Sequence, residues 1–390
     1  MRPADPTRAD VCQVMVAGGY VVLERPNPAL VAAVSARVYS VVAPLADSLP
    51  ASPGQRIVAT GIEIEVLSPQ MAQSRRYAVK CEGGVCSLSR ADDMGPNPYV
   101  EAALVNTVAL VAHLKGAEAL RPFSVSIHGD NAFYVMENED GSKAENLPRF
   151  APITQGSADK SQHAANVRKT GLGSSAALVT SMVASILSHF KVITLPVTDD
   201  KEPEQQSSAG RGGGLDDEQL RQVHNLAQLS HCAAQGKIGS GFDVAAAVYG
   251  TMQYVRFSPQ ILDLSGKDTV GTADMAAVAH LVMATSRGDP QGGVFDQEIG
   301  AWSLPPDMHL LVGDVRGTGS STPSMVAAIN KWRKDKPQEA GELWESIIAL
   351  NKHVAATIHS LSLAAAAKAQ ILKVLYVVTL YSKCTRVHDF

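Results

Sequence analysis

A chain of 390 residues is long enough to form two domains, each with a substantial core. Its formal net charge of −4 and pI of about 6.3 exclude a general basic field, so we expect no nucleic-acid partner and predict that any anion site is local. The five cysteines are odd in number and lack the spacing of a zinc site. We therefore expect reduced thiols, no zinc, and an intracellular, cytoplasmic protein.

Neither terminal segment predicts a membrane span or a signal peptide. Asp5, Arg8 and Asp10 precede the first apolar run, which argues against a signal peptide. Residues 363–381 are apolar, but two lysines and a glutamine interrupt them. These interruptions favour a packed helix over a membrane span.

The N-terminal part of the chain is predicted to begin as a sheet. Alternating apolar residues on both sides of Ala17-Gly18-Gly19-Tyr20 predict a hairpin with the strands VCQVMV and YVVL. Further strand signals lie at residues 34–42 and 55–66, with a loop rich in proline and glycine between them.

A helix is predicted over residues 97–115, because Pro98 suits its first turn and apolar residues recur on one side. Those apolar residues are Ala102, Val105, Val108 and Ala112. Residues 123–127 alternate as the next strand and end in a turn signal. The polar residues 137–169 are predicted to form a long loop.

The functional interpretation depends on residues 169–190, KTGLGSSAALVTSMVASILSHF. Apolar side chains recur there at helical spacing, so a buried helix is predicted to begin at the serines. The residues at its start are all small: Gly171, Gly173, Ser174 and Ser175. Small residues leave backbone N–H groups uncovered at the positive end of the helix dipole, which favours a phosphate. The serine hydroxyls can also bond phosphate oxygens or a bound Mg²⁺.

Two other interpretations of this segment stay open. It could be a helix that merely begins with Gly-Ser capping residues. It could also be a dinucleotide fingerprint, because Gly171-x-Gly173-x-x-Ala176 fits the looser Rossmann pattern, although its position deep in the chain argues against this. The Walker A pattern is absent from the sequence, which argues against a classical P-loop NTPase.

A surface insertion and a second glycine-rich turn follow. Residues 198–219 are poor in apolar side chains and rich in Gly, Ser and charge, which predicts a flexible insertion. The acidic residues from Asp216 onward mark the start of a helix. The turn at 235–244 contains Asp243 among small apolar residues, and a strand-like MQYVRF follows. Local reasoning leaves two roles open for Asp243, a helix cap or a carboxylate held near a ligand.

A second candidate anion site lies within residues 309–325. A short apolar strand runs into a turn, and Pro323 suits the first position of a following helix. The turn carries one cation and three hydroxyls: Arg316, Ser320, Ser321 and Thr322. Such groups beside a helix N-terminus suit an anion. Two separate anion sites suggest two phosphorylated ligands.

These motifs, in this order, resemble the galactokinase, homoserine kinase, mevalonate kinase and phosphomevalonate kinase superfamily, and more narrowly the phosphomevalonate kinases of the eukaryotic type. The resemblance covers about residues 14–330 and is carried by the ordered motifs together. The matching segments are 17–23, 129–134, 169–177, 239–244, 313–317 and 320–325.

The resemblance implies a two-domain α+β fold. Its N-terminal domain, residues 1–257, would be like ribosomal protein S5 domain 2, and its C-terminal domain, residues 258–390, would be ferredoxin-like. It also implies phosphorylation of 5-phosphomevalonate to the diphosphate, with ATP and Mg²⁺, in the mevalonate route to isoprenoids and sterols. No oligomeric state is implied.

The family's site residues map onto matching positions of this chain. The ATP phosphates would be held by Gly171, Leu172, Gly173, Ser174, Ser175, Ala176 and Ala177. Ser175 would also lie near Mg²⁺, and Asp243 would orient or deprotonate the attacking phosphate. The substrate side would be formed by Arg316, Ser320, Ser321 and Thr322.

The chain departs from the family pattern at two places. Where the family has Pro-Gly-Lys, this chain has Val11, Cys12 and Gln13, so Lys169 is the candidate to supply the cation. The family's final Gly-Ala-Gly-Gly motif has no counterpart here, which predicts a truncated C-terminal domain with an edge or apolar face uncovered. An inactive relative that still binds a nucleotide or a partner is therefore the alternative function.

Overall fold

The structure is a computed structural model. It describes residues 9–45, 61–136, 150, 167–170, 172–195, 215–262, 264, 270–284, 295–305, 308–311 and 322–367. Most of the predicted insertion at 198–219, part of the predicted strand at 55–66 and most of the apolar segment at 363–381 lie outside these residues.

The described chain is built from both strands and helices. The strands are β1 (Ala9–Ala17), β2 (Pro28–Pro44), β3 (Ile62–Ser68), β4 (Gln73–Glu82), β5 (Val85–Arg90), β6 (Phe123–Gly129), β7 (Tyr134–Met136), β8 (Val167–Lys169), β9 (Met252–Val255), β10 (Thr272–Asp274) and β11 (Glu298–Ala301). The helices are α1 (Pro98–Lys115), α2 (Ser174–His189), α3 (Asp217–Gln235), α4 (Phe242–Tyr249), α5 (Met275–Met283), α6 (Thr322–Asp335) and α7 (Pro337–Ala367).

The chain divides into two compact units. The larger unit comprises Met1–Gln13, Ala33–Gly250 and Ser258–Asp296, and the smaller unit comprises Val14–Ala32, Thr251–Phe257 and Gln297–Phe390. Each unit has strands and helices of its own, and the predicted α+β class with two domains is confirmed. The predicted domain boundary at residue 257 stays a prediction.

The sheet of the larger unit runs in the order β10, β5, β4, β3, β6 and β2. Neighbouring strands are antiparallel except β3 and β6, which run parallel with Val66 opposite Val125. Because successive residues of a strand point to opposite faces, Ile64 and Val66 lie on the same, buried face of β3. Residues of this face share one apolar core with α1, α2, α3 and α5.

The central element of this core is α1. All its residues from Val100 to Ala112 are buried, and it contacts α2, α3 and α5 as well as β4 and β5. Apart from Glu101, Asn106 and Thr107 this stretch is apolar, and a helix with apolar residues on all sides needs cover on all sides. The helix predicted over residues 97–115 is confirmed: the Asn97 side chain accepts from the Val100 N–H, and the helix ends before Gly116.

The predicted N-terminal hairpin is wrong in its second strand. The VCQVMV segment lies in β1, but Val21–Leu23 forms a 3₁₀ turn and the next strand begins only at Pro28. The turn is closed by hydrogen bonds from the N–H groups of Val22 and Leu23 to the carbonyl groups of Gly18 and Tyr20. Val21 and Val22 are both buried, which consecutive residues of a strand with one solvent-exposed face do not achieve.

The prediction of five reduced cysteines is also wrong. Cys81 and Cys86 lie directly opposite each other on β4 and β5, with their Cα atoms 4.0 Å apart, and form a disulfide. The register of a hairpin places cross-strand neighbours this close, and sequence spacing alone did not reveal it. Cys232 is a free, buried thiol.

The smaller unit combines a short antiparallel sheet with two helices. Residues Pro28–Val31 of β2 pair with β9, and β9 pairs with β11. The strand predicted from MQYVRF is therefore confirmed. Glu24 connects the 3₁₀ turn to the helices: it accepts hydrogen bonds from Arg333 of α6 and from Trp344 Nε1 of α7, the latter at 3.0 Å. The Arg333 guanidinium lies 4.1 Å from the centre of the Trp344 ring.

The long helix α7 has apolar side chains on its exposed surface. These are Leu343, Leu350, Val354 and Leu361. No helix within the described residues has both the length and the apolar composition needed to cross a membrane.

A buried carboxylate fixes the start of α1. Glu101 is 1% exposed and accepts hydrogen bonds from Arg90 Nε at 2.8 Å, Arg90 Nη2 at 2.9 Å and the Asn97 N–H at 2.9 Å. Burial by itself would raise the pKa of Glu101, but the hydrogen bonds from Arg90 and Asn97 together with the positive charge of Arg90 outweigh it. The pKa of Glu101 is therefore lowered from its ordinary value of 4.5.

Glu101→Gln should lower the free energy of unfolding at pH 7 by about 1–3 kcal/mol, because Arg90 and the Asn97 N–H lose a charged acceptor. Since the pKa is lower in the folded state, this contribution is complete above pH 4.5 and is lost as the pH falls through the folded pKa. Urea unfolding as a function of pH should show the two proteins converging in acid.

The control for this experiment is Glu63→Gln. The Glu63 carboxylate is 53% exposed and lies 3.8 Å from Arg76, so its loss should change stability by less than about 0.5 kcal/mol. Equal effects of the two substitutions at pH 7 would contradict the role assigned to Glu101.

Candidate active site

The predicted phosphate-binding helix begins where the sequence places it. α2 starts at Ser174, directly after Gly173, whose φ of 78° lies in the left-handed region. Within the part of the chain that the structure describes, no side chain caps this helix start. The N–H groups of Ala176 and Ala177 bond the Gly173 carbonyl, and the N–H groups before them have no partner inside the helix. This end of α2 is therefore suited to an anion.

Gln13 packs against the same glycine. A Cβ atom on Gly173 would lie 2.2 Å from Gln13 Nε2, and the Gln13 N–H donates to the Leu172 carbonyl at 3.4 Å. Gln13 is 7% exposed, and its Oε1 has no hydrogen-bond partner among the described residues. A buried carboxamide oxygen beside the loop is thus left to accept a hydrogen bond from a bound group.

Asp243 occupies a matching position on a second helix. It lies in the first turn of α4, which begins after Gly241, another glycine in the left-handed region with φ of 81°. The Asp243 carboxylate is 24% exposed, and its Oδ1 accepts from the Val244 N–H at 3.0 Å. α4 packs against both α2 and α3. Of the two roles left open for Asp243, a carboxylate in reach of a ligand fits this partial exposure.

A histidine connects the two helix starts. His231 of α3 is buried, and its Nε2 lies 3.1 Å from Ser175 Oγ and 3.7 Å from Asp243 Oδ2. Gln235 Nε2 lies 3.4 Å from the same nitrogen. The three elements α2, α3 and α4 thereby bring a hydroxyl, an imidazole and a carboxylate together at one place in the larger unit.

Sequence reasoning did not single out His231. The available signal was a stripe of polar residues at helical spacing on α3, since His224, Gln228, His231 and Gln235 follow one another at intervals of four, three and four. The first three of these are buried. A polar stripe on a buried helix face marks either an internal hydrogen-bond network or a site.

The other predicted site residues are placed only in part. Ser174 and Ser175 lie in the first turn of α2 as predicted, whereas Gly171 lies outside the described residues. Lys169 ends β8, where its backbone pairs with Tyr134, but its side chain is outside the description. Of the second candidate anion site, Thr322 begins α6. Arg316, Ser320 and Ser321 are not among the described residues.

The groups at this site suit a magnesium nucleotide. Within the described ranges no cluster of three or more His, Cys, Asp or Glu side chains could hold a metal by itself. Mg²⁺ usually takes one or two protein oxygens and completes its shell with phosphates and water. The Ser175 hydroxyl and the Asp243 carboxylate are oxygen donors of the required kind.

Curated relatives identify the family. A peroxisomal phosphomevalonate kinase of Arabidopsis thaliana is 35% identical over 369 residues, which cover 90% of this chain and 68% of that protein. Phosphomevalonate kinases of Gibberella zeae and Aspergillus fumigatus are each 33% identical, and the alignments cover 89% and 88% of this chain and 71% and 69% of those proteins. No protein-family model matches the chain.

Two helix starts that converge on a serine, a histidine and a carboxylate suit an enzyme that handles phosphate groups. Within that class, the chain belongs to the phosphomevalonate kinase family.

The solved structures that align with this chain are less similar to it in sequence than these relatives are. A Streptococcus pneumoniae phosphomevalonate kinase in complex with phosphomevalonate and AMPPNP is 15% identical with a TM-score of 0.44, over 90% of this chain and 78% of that one. The Lin0012 protein of Listeria innocua is 16% identical with a TM-score of 0.48, over 90% of this chain and 72% of that one.

Gly173→Ala should destabilise the larger unit. The left-handed backbone costs an alanine about 1–2 kcal/mol, and the new methyl group also has to displace the buried Gln13 side chain, which adds about 1–3 kcal/mol of overpacking. Chemical denaturation followed by circular dichroism measures the loss. The part of this loss that comes from the contact with Gln13 should disappear when Gly173→Ala is made in a Gln13→Ala background.

Gly84→Ala is the matched control, since Gly84 has a φ of 82° and no atom within 4 Å of the added Cβ position. It should show the backbone cost alone. A loss at Gly173 no larger than the loss at Gly84 would mean that the Gln13 contact is not a constraint.

Proposed function

We propose that the chain transfers the γ-phosphoryl group of ATP to 5-phosphomevalonate and forms 5-diphosphomevalonate and ADP, in the mevalonate route to isoprenoids and sterols. Membership of the phosphomevalonate kinase family supports this assignment. The observation that carries it is the placement of Ser175 and Asp243 beside the same nitrogen, Nε2, of the His231 imidazole, at the N-terminal ends of α2 and α4. A phosphate donor and a phosphate acceptor could meet between these ends.

The loop from Gly171 to Ala177 is assigned to the ATP phosphates. Backbone N–H groups at the start of α2 and the dipole of this 16-residue helix favour negative charge there. Ser175 is assigned to Mg²⁺, which when bound neutralises charge on the phosphates. Gln13 packs closely against Gly173, the residue directly before α2.

Asp243 is assigned to the acceptor phosphate. In the transfer, an oxygen of the substrate phosphate forms a bond to the γ-phosphorus, and the bond from the γ-phosphorus to the β,γ-bridging oxygen breaks as ADP leaves. A phosphate monoester has a second pKa of about 6, so most of the acceptor is already a dianion at neutral pH. Orientation is therefore the larger part of the assigned role, with removal of a residual proton the smaller part.

The substrate side is assigned to Arg316, Ser320, Ser321 and Thr322, and the supporting cation to Lys169. Their residue types support these roles, because a guanidinium and hydroxyl groups bind phosphate and carboxylate oxygens. The domains are assigned as residues 1–257 and 258–390. We also place the protein in the cytoplasm; one relative is named as peroxisomal.

A second function, nucleotide binding without turnover, has one observation in its favour. Gln13 is neutral and stands where the family pattern has a lysine. Loss of a pre-positioned cation at a phosphoryl-transfer site can cost about 3–4 kcal/mol of transition-state stabilisation, as the loss of an oxyanion-hole donor does. The assay below separates the two functions.

Steady-state ADP production by the purified chain with Mg-ATP tests the proposal. We expect turnover with 5-phosphomevalonate and none above background with mevalonate. Asp243→Asn should lower kcat by about 10²–10⁴-fold, the range of a positioned acid or base. Asp216→Asn is the matched control, because Asp216 caps α3 and asparagine is an equally good cap.

Two results would overturn the proposal. One is a folded chain whose melting temperature rises with Mg-ATP but which forms no ADP with 5-phosphomevalonate, which would establish nucleotide binding alone. The other is turnover that Asp243→Asn and Asp216→Asn affect equally.

A further inference from the structure

The imidazole of His231 is enclosed at the centre of the candidate site. It is buried, and groups from four helices surround it: Tyr99 of α1 with ring centres 5.5 Å apart, Ser175 of α2, Gln235 of its own helix and Asp243 of α4. A side chain held from so many sides has little rotational freedom. It can therefore fix the positions of smaller groups that touch it.

The tautomer of His231 sets which way the hydrogen bonds at Nε2 run. An imidazole nitrogen without a proton has one lone pair, and the shorter contact of Nε2 is the one to the Ser175 hydroxyl, at 3.1 Å, with the Gln235 amide nitrogen at 3.4 Å. In the tautomer that carries its proton on Nδ1, the Ser175 hydroxyl donates a hydrogen bond to Nε2. A hydroxyl has one proton and two lone pairs, so a Ser175 that donates to His231 keeps both lone pairs for a cation or a donor.

The second contact places the carboxylate. Asp243 Oδ2 lies 3.7 Å from Nε2, which is beyond hydrogen-bond distance but in close contact with the ring edge. The other oxygen, Oδ1, is held by the Val244 N–H. The imidazole therefore limits how far the carboxylate can turn toward the start of α2.

We propose that His231, with its ring proton on Nδ1, is a positioning residue of the phosphoryl-transfer site: its Nε2 accepts a hydrogen bond from the Ser175 hydroxyl, which leaves the lone pairs of that oxygen for the magnesium nucleotide, and the ring sets the separation between that oxygen and the Asp243 carboxylate. This inference rests on the proposed function. It adds one residue that no part of the motif pattern assigns, and it makes the hydroxyl and the carboxylate depend on the same ring.

Two substitutions at His231 separate positioning from packing. Glutamine is long enough to place its Oε1 near the Nε2 position and accept from Ser175, whereas asparagine is too short. His231→Asn should lower kcat/KM for Mg-ATP by about 10–100-fold, the usual effect of losing a group that orients a ligand to a metal. His231→Gln should recover most of this loss.

The matched control is His224→Asn. His224 is a second buried histidine about two turns earlier on α3, with ring contacts to Tyr249 and Phe295. Burial lowers its pKa to about 4, despite the hydrogen bond with Asn225, so it is neutral at pH 7. A purely structural role for His231 would make the two asparagine variants equally impaired.

A binding measurement separates this inference from the proposed function. Calorimetric titration with ATP should show that Mg²⁺ increases the affinity of the wild-type chain, and that His231→Asn loses this Mg²⁺-dependent gain while His224→Asn and His231→Gln keep it. The result does not require turnover, so it stands even if the chain forms no ADP. The inference is wrong if a folded His231→Asn chain keeps both the wild-type Mg²⁺-dependent gain in ATP affinity and the wild-type kcat/KM. It is also wrong if His231→Gln and His231→Asn are folded and equally impaired.

Discussion

Two helices of the larger unit begin directly after a glycine in the left-handed conformation, and the candidate site depends on this constraint. A residue with a side chain is strained at positive φ, and at Gly173 its side chain would also clash with the buried Gln13 carboxamide. Glycine lets the chain turn sharply into α2 and leaves the first N–H groups of the helix uncovered. Gly241 likewise lets the chain turn into α4, where the Val244 N–H in the first turn donates to Asp243.

The helix that joins these two starts carries polar groups inside an apolar core. Buried polar groups are costly unless they are hydrogen-bonded, and several on α3 have defined partners. Ser230 Oγ donates to the Leu226 carbonyl at 2.8 Å, and Asn225 Nδ2 donates to the Val282 carbonyl at 3.3 Å. Because α1 covers α3 from the other side, this network has a rigid support. His231, on the same helix, contacts Ser175 and Asp243.

Local patterns were sufficient to predict the features that depend on a few consecutive residues. The start of α2 at the serines, the extent of α1 and the strand at β9 follow from helical spacing, caps and alternation. Features that depend on the pairing of distant segments were not predictable: the disulfide between Cys81 and Cys86 needs the hairpin register, and the 3₁₀ turn at Val21–Leu23 needs the core that buries both valines. His231 was missed because only the fold brings α3 between α2 and α4.

The most direct test of this account is a crystal structure of the chain with Mg²⁺ and a non-hydrolysable ATP analogue. The account predicts phosphate oxygens within about 3 Å of the backbone N–H groups at the start of α2, with the Ser175 hydroxyl oxygen turned to the metal, the His231 contact retained and the γ-phosphate facing Asp243. A nucleotide bound elsewhere, with the start of α2 empty of phosphate, would contradict it.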